Sequence, residues 1–321
     1  MDRIPLANLP TPLVHLKHLS CELGVELWCK RDDLTGFGLS GNKVRKLEFL
    51  LAGAVERGVD TVITTGGAQS NHARATAVAA RRLGLAPILL LRGSPPEPPD
   101  GNLLLDHLLG ARIEWCSPEV YRDSRGERMA ELAAEVAGAG GRALVIPEGG
   151  STGLGAMGFV QAASEVLTQA EGALDDFDGF DGIVLPVGSG GTLAGLALGP
   201  ELGPLLGVAV CDDQQTFSAI VRRIAAEALA LGAAPLPREG ERWRIVEGYQ
   251  GPGYGLATPE IWRTIQEVAR LEGLLLDPSY TGKAMHALVE EIGAGRWGGR
   301  LLFWHTGGGF GLFGRGGELA T

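Results

Sequence analysis

The chain has 321 residues, 45% of them hydrophobic and 21% charged, with a formal net charge of −10. It is long enough for two packed units, and its acidity argues against nucleic acid or an anionic membrane surface as partner. No apolar run approaches the roughly 20 residues of a membrane span, and Met1 to Pro10 lack the basic flank and apolar stretch of a secretory signal.

The first distinctive run is Ser40-Gly41-Asn42-Lys43-Val44-Arg45-Lys46-Leu47-Glu48. It places a glycine turn before a predicted helix in which Val44, Leu47, Leu51 and Ala54 share one face, ending at Gly58. A helix start carries partial positive charge, so two lysines there call for a bound anion or for a lysine that is not charged. Pyridoxal phosphate would meet both conditions, its phosphate as the anion and its aldehyde as a Schiff-base partner for lysine. A basic first turn facing water is the plain alternative.

Strands are predicted next at 60–65 and 86–91, with Thr64-Thr65-Gly66-Gly67-Ala68-Gln69-Ser70-Asn71-His72 at the junction of the first strand and the helix after it. Ser70 suits an N-cap, and Gln69 and Asn71 make the turn more polar than capping requires. A proline-rich surface loop, 93–101, follows. Further strands are predicted at 112–116 and 142–147, and a glycine-rich crossover at 148–155. The strand predicted at 182–186 runs into Val187-Gly188-Ser189-Gly190-Gly191-Thr192, a loop able to converge backbone N–H groups on a phosphate. It is no dinucleotide fingerprint, because Leu193 stands where the third glycine would fall, and 36–43 is no Walker loop, because Asn42 and Val44 break its pattern.

The last predicted strands are 206–211 and 300–304. All seven are continuous apolar runs alternating with helical patterns, the mark of an α/β fold with open, parallel-rich twisted sheets covered by helices. Tyr254 and Tyr280 lie beside turns, and the final strand enters His305-Thr306-Gly307-Gly308. Four scattered cysteines and dispersed histidines show no metal-ligand spacing, so reduced thiols, no metal and a cytoplasmic location are expected.

Taken together and in order, from Leu9-Pro10-Thr11-Pro12-Leu13 and Lys30-Arg31-Asp32-Asp33 to His305-Thr306-Gly307-Gly308, these motifs resemble a group of pyridoxal-phosphate enzymes. The group has the tryptophan synthase β-like fold (fold type II) and contains D-cysteine desulfhydrases and 1-aminocyclopropane-1-carboxylate deaminases. The resemblance implies two α/β domains, here 47–150 as the smaller and 1–46 with 151–321 as the larger, and a homodimer. It implies Lys43 as the Schiff-base lysine, Asn71 on the cofactor's ring hydroxyl, and Lys46 with Val187, Gly188, Ser189, Gly190, Gly191 and Thr192 around its phosphate. Ser70 and Asn71 would meet the substrate carboxylate, Ser70 also being a candidate for proton transfer. Tyr254 and Tyr280 would lie over the substrate as acid, base or nucleophile.

Thr281 stands where the deaminases carry a glutamate facing the pyridine nitrogen, and Thr306 where they carry leucine. Both point toward β-elimination from D-cysteine, giving pyruvate, sulfide and ammonia, and away from cyclopropane opening. The deaminase, an L-cysteate lyase and, from other classes, a non-catalytic phosphometabolite binder or a nicotinamide dehydrogenase remain as alternatives. Ser40 for glycine and the 309–313 loop depart from the group's usual pattern.

Overall fold

The computed structural model describes residues 2–318. The chain opens with an antiparallel pair, β1 (Leu13–His15) and β2 (Glu26–Arg31). It then builds a separate four-stranded parallel sheet from β3 (Thr61–Gly67), β4 (Ala86–Arg92), β5 (Arg112–Cys116) and β6 (Ala143–Val145), in the order β5-β4-β3-β6. It returns with β7 (Gly182–Val187), β8 (Leu205–Ala209), β9 (Trp243–Val246) and β10 (Arg300–His305) to complete a six-stranded sheet ordered β1-β2-β10-β7-β8-β9. Within that sheet β2 is antiparallel to β1, and all the other pairings are parallel.

The continuous apolar strands are explained by burial on both faces. In β7, Ile183, Leu185 and Val187 enter one core and Val184 the other; in β10, Leu302 and Trp304 face the first core and Leu301 and Phe303 the second. Alternate side chains of a strand point to opposite faces, so a strand covered twice has no polar side to display. The helices Gly153–Ala173, Gly191–Leu198 and Gln214–Leu229 cover the first face, and Pro259–Glu272 with Thr281–Gly293 cover the second.

All seven predicted strands are present, with ends shifted by at most a few residues, while β1, β2 and β9 were not anticipated. Strand β2 reads as polar because it contains Glu26, Lys30 and Arg31. Lys30 is nevertheless fully buried, its Nζ 2.6 Å from a Glu165 oxygen and 2.7 Å from the Thr11 carbonyl. The first helix also differs from expectation. It spans Lys43–Leu50 and gives way to turns through Gly58, because Gly53 takes φ +66, a left-handed conformation no helix interior holds.

That short helix is anchored by buried charge. Arg45 donates to both oxygens of Asp32 at 2.8 and 3.0 Å and to both of Glu165 at 2.9 and 3.0 Å. Trp304 donates to Asp32 at 2.9 Å. Burial works against ionising Glu165, but Arg45 and Lys30 together hold its carboxyl down to about 2. The helix packs closely on Gly153–Ala173, where a Cβ at Gly158 would run into the Arg45 carbonyl.

Candidate active site

The carboxyl ends of β3, β4, β7 and β10 open on one cleft of about 890 Å³, as expected for ligand sites in open α/β sheets. Lys43 is the first residue of its helix. The turn before it is fixed by Gly41 N–H donating to the Asp32 carbonyl and the Thr35 hydroxyl, both at 3.0 Å, and by Asn42 N–H donating to the Thr306 carbonyl at 3.0 Å. Gly41 has φ +111, and a Cβ there would stand 2.8 Å from that carbonyl oxygen, so only glycine closes the turn. The Lys43 side chain enters the cleft and makes no hydrogen bond or salt bridge among the described residues. Burial pushes its amine down to about 8, with Glu148 only partly opposing the shift. A lysine near pH 8 is neutral often enough to attack a carbonyl carbon.

Opposite lies the glycine loop. Among the described residues, the backbone N–H groups of Gly188, Ser189 and Gly190 donate to nothing. Ser189 accepts from the Ser151 hydroxyl at 2.8 Å, and Lys46 donates to Ser151 Oγ and the Gly149 carbonyl, both at 3.1 Å. Lys46 is buried with no carboxylate in reach among the described residues, and burial followed by the Lys43 charge drives it well below the ordinary lysine range. Three free N–H donors, two hydroxyls and an uncompensated amine form a site for a dianion. This donor set would fit a pyridoxal phosphate: the loop and Lys46 would hold its phosphate, and the Lys43 amine is available to its aldehyde.

Ser70 caps the helix Asn71–Arg82, its Oγ accepting from Ala73 N–H at 3.1 Å. Asn71 Oδ1 accepts from Asn102 Nδ2 at 3.0 Å, so the amide's other end, an NH2 donor with no described partner, is left for the cleft. Arg74, fully buried, donates to Asn102 Oδ1 at 3.1 Å and to the Gly38 and Ser40 carbonyls at 2.6 and 2.9 Å. It thereby joins the Asn71 helix to the turn that presents Lys43.

Tyr280 donates to the Tyr254 hydroxyl at 2.9 Å, the rings meeting at 74°. Burial raises both phenols, that of Tyr280 more strongly. Both line the cleft with Thr306, Val187, Gly188, Ser189, Gly190 and Thr192. Lys46 and Gly191 lie directly behind that wall, where a Cβ on Gly191 would come 2.7 Å from Lys46 Nζ. Thr281 is buried below it, its hydroxyl donating to Asp277 at 2.7 Å and accepting from Asp277 N–H at 2.8 Å. The cleft also gathers residues that the sequence did not single out, namely Arg92, Tyr121, Glu148 and Ser151. Arg92 ends a strand, Tyr121 lies on the short helix Pro118–Asp123, and Glu148 and Ser151 fall in the 148–155 crossover, with no spacing to mark any of them as site residues.

The family described as "Pyridoxal-phosphate dependent enzyme" matches residues 4–307. The chain belongs to that family. Its relatives include the bifunctional D-cysteine desulfhydrase/1-aminocyclopropane-1-carboxylate deaminase, mitochondrial, of Arabidopsis thaliana, 42% identical over 98% of this chain and 80% of that protein. The D-cysteine desulfhydrase of Klebsiella pneumoniae is 41% identical over 97% of this chain and 95% of its own length. Among solved structures, one titled as an ACC deaminase homologue superposes with a TM-score of 0.89 at 38% identity, covering 100% of this chain and 96% of that one. The protein is thus a pyridoxal-phosphate-dependent lyase of the deaminase–desulfhydrase group, with the fold type II architecture. No helix among the described residues is long and apolar enough to cross a membrane.

Proposed function

We propose that this family member removes the β-substituent of a small amino acid, D-cysteine first among them, releasing sulfide, pyruvate and ammonia. The observation that carries the reading is the uncommitted Lys43 amine, lowered to about 8, facing a loop with three unengaged N–H donors. Bound there, pyridoxal phosphate supplies an electron sink for negative charge at the substrate α-carbon. Lys43 holds the cofactor and then takes the α-proton, with the Ser70 hydroxyl as the other candidate. The loop 187–192 and Lys46 hold the phosphate, and the free amide NH2 of Asn71 donates to the ring oxygen. Ser70 and Asn71 receive the substrate carboxylate at the start of their helix, with Thr306 across the cleft. The Tyr280–Tyr254 pair delivers a proton toward the departing sulfur; two coupled hydroxyls with raised pKa values stay protonated at neutral pH.

One feature favours D-cysteine over the cyclopropane substrate. Thr281, assigned to the ring nitrogen, is neutral and already gives its hydrogen to Asp277, so it imposes no positive charge on the ring. A weak sink suffices when a good leaving group departs from the β-carbon. The reading further takes residues 47–150 as a smaller domain, a homodimer as the working form and the cytoplasm as its location.

Incubation of the cofactor-loaded protein with D-cysteine and with 1-aminocyclopropane-1-carboxylate tests the reading. Pyruvate and sulfide from D-cysteine, abolished by Lys43→Ala, are expected; 2-oxobutyrate from the cyclopropane as the main product would contradict it.

A further inference from the structure

Arg92 ends β4 and turns its side chain into the cleft. Its guanidinium carbon lies 5.3 Å from the ring centre of Tyr121 and 5.4 Å from that of Tyr254. The other arginines lining the cleft have carboxylates: Arg122 pairs with Asp123 at 2.8 Å, Arg125 with Glu148 at 3.8 Å, and Arg223 with Glu227. The Arg92 side chain has no salt bridge and no hydrogen bond among the described residues. Two aromatic faces hold its plane without using its N–H donors, so the fork is oriented and unspent. Its Nη2 and the Tyr254 hydroxyl each lie 4.0 Å from the position a Cβ on Gly67 would take, so cation and hydroxyl flank the same space.

We infer that Arg92 is a specificity-determining residue that reads negative charge on the substrate's β-substituent. The inference rests on the proposed function, which sets the substituent beside the tyrosine pair. An oriented guanidinium beside a phenol suits a substituent that is anionic when bound, such as a sulfonate. It suits equally one that becomes anionic as it leaves: when the Cβ–S bond of cysteine breaks, its electron pair stays on sulfur while the α-hydrogen leaves as a proton to the base. The chemical class selected is therefore small amino acids with an anionic or thiol β-substituent, over neutral ones of similar size.

The test compares wild-type holoenzyme with Arg92→Met, which fills the gap between the tyrosines without charge, and Arg92→Lys, which restores charge without the fork. Calorimetric titration with D-cysteate and with D-alanine gives a ratio of affinities for each. One charge-assisted pair predicts a preference for cysteate of about tenfold or more in the wild type. That preference falls to about twofold or less in Arg92→Met and recovers in part in Arg92→Lys. Turnover of D-cysteine and of β-chloro-D-alanine, whose substituents both leave with the bonding electron pair, should fall together in Arg92→Met, while the affinity for D-alanine, which has no leaving group, stays as in the wild type. A ratio unchanged by Arg92→Met, or an equal loss for both ligands, would overturn the inference, the second result placing Arg92 on the α-carboxylate. The functional reading fails separately, by absence of D-cysteine turnover in the wild type.

Discussion

The reactivity proposed for Lys43 follows from where it sits. A solvent-exposed lysine is protonated at neutral pH, whereas burial brings this amine down to about 8. Only the neutral amine attacks a carbonyl, so the rate at which the apoprotein captures pyridoxal phosphate should rise with pH. The midpoint should lie near 8, well below the ordinary lysine range, as followed by stopped-flow absorbance; a midpoint above 10 would show an unperturbed lysine. Asn102 acts one residue further back, by fixing which end of Asn71 faces the cleft. Asn102→Leu should weaken pyridoxal phosphate binding about tenfold, the effect of one misplaced hydrogen bond, with little change in far-ultraviolet circular dichroism. At this scale the sequence was readable where chemistry and spacing coincide, as in Gly41-Asn42-Lys43. Arg92, Ser151 and Asn102 were not readable, because each becomes part of the site only when distant segments meet.

The helix Lys43–Leu50 is one of the shortest in the fold, yet the proposed function puts two of its lysines to work, so its position has to come from outside itself. Glu48 accepts from the backbone N–H groups of Leu6 and Ala7 at 2.8 and 2.9 Å, and Arg45 is locked between Asp32 and Glu165. Replacing Glu165 by Gln leaves Lys30 and Arg45 short of a buried counter-charge and should cost about 3 kcal/mol in urea unfolding at pH 7. The sign with pH follows from the direction of the shift. The folded carboxyl titrates near 2, below its unfolded value, so its contribution is full above about pH 5 and fades as pH falls toward 2. The variant should therefore differ most from the wild type at neutral pH and converge with it in acid; a constant difference would remove the ion-pair explanation. The same network explains why β2 escaped the sequence reading. Its lysine looks like a surface residue until the partner, Glu165 on a helix far along the chain, is known.

At the scale of the molecule, the cleft lies where the strand ends of the two sheets meet. Ser70, Asn71 and Arg92 come from the four-stranded sheet's side, and the glycine loop, Tyr280 and Thr306 from the six-stranded sheet's side. A cofactor held by both should tie them together. Saturating pyridoxal phosphate, at about a hundred times its dissociation constant, should stabilise the protein by about 2.7 kcal/mol. Gly190→Val should lose that thermal shift, because Gly190 takes φ +74 and an added Cβ would stand 2.8 Å from Ile220. The parallel α/β architecture was legible in the apolar runs of β3, β4, β7, β8 and β10, which are buried along most of their length, whereas the meeting of the two sheets' ends, which makes the candidate site, has no local signal in the chain.

The most direct measurement is borohydride reduction of the protein loaded with pyridoxal phosphate, followed by peptide mass spectrometry. A pyridoxyl group fixed on Lys43, and lost in Lys43→Ala, is the predicted result. A label on Lys46 or another lysine, or none at all, would contradict the site described here.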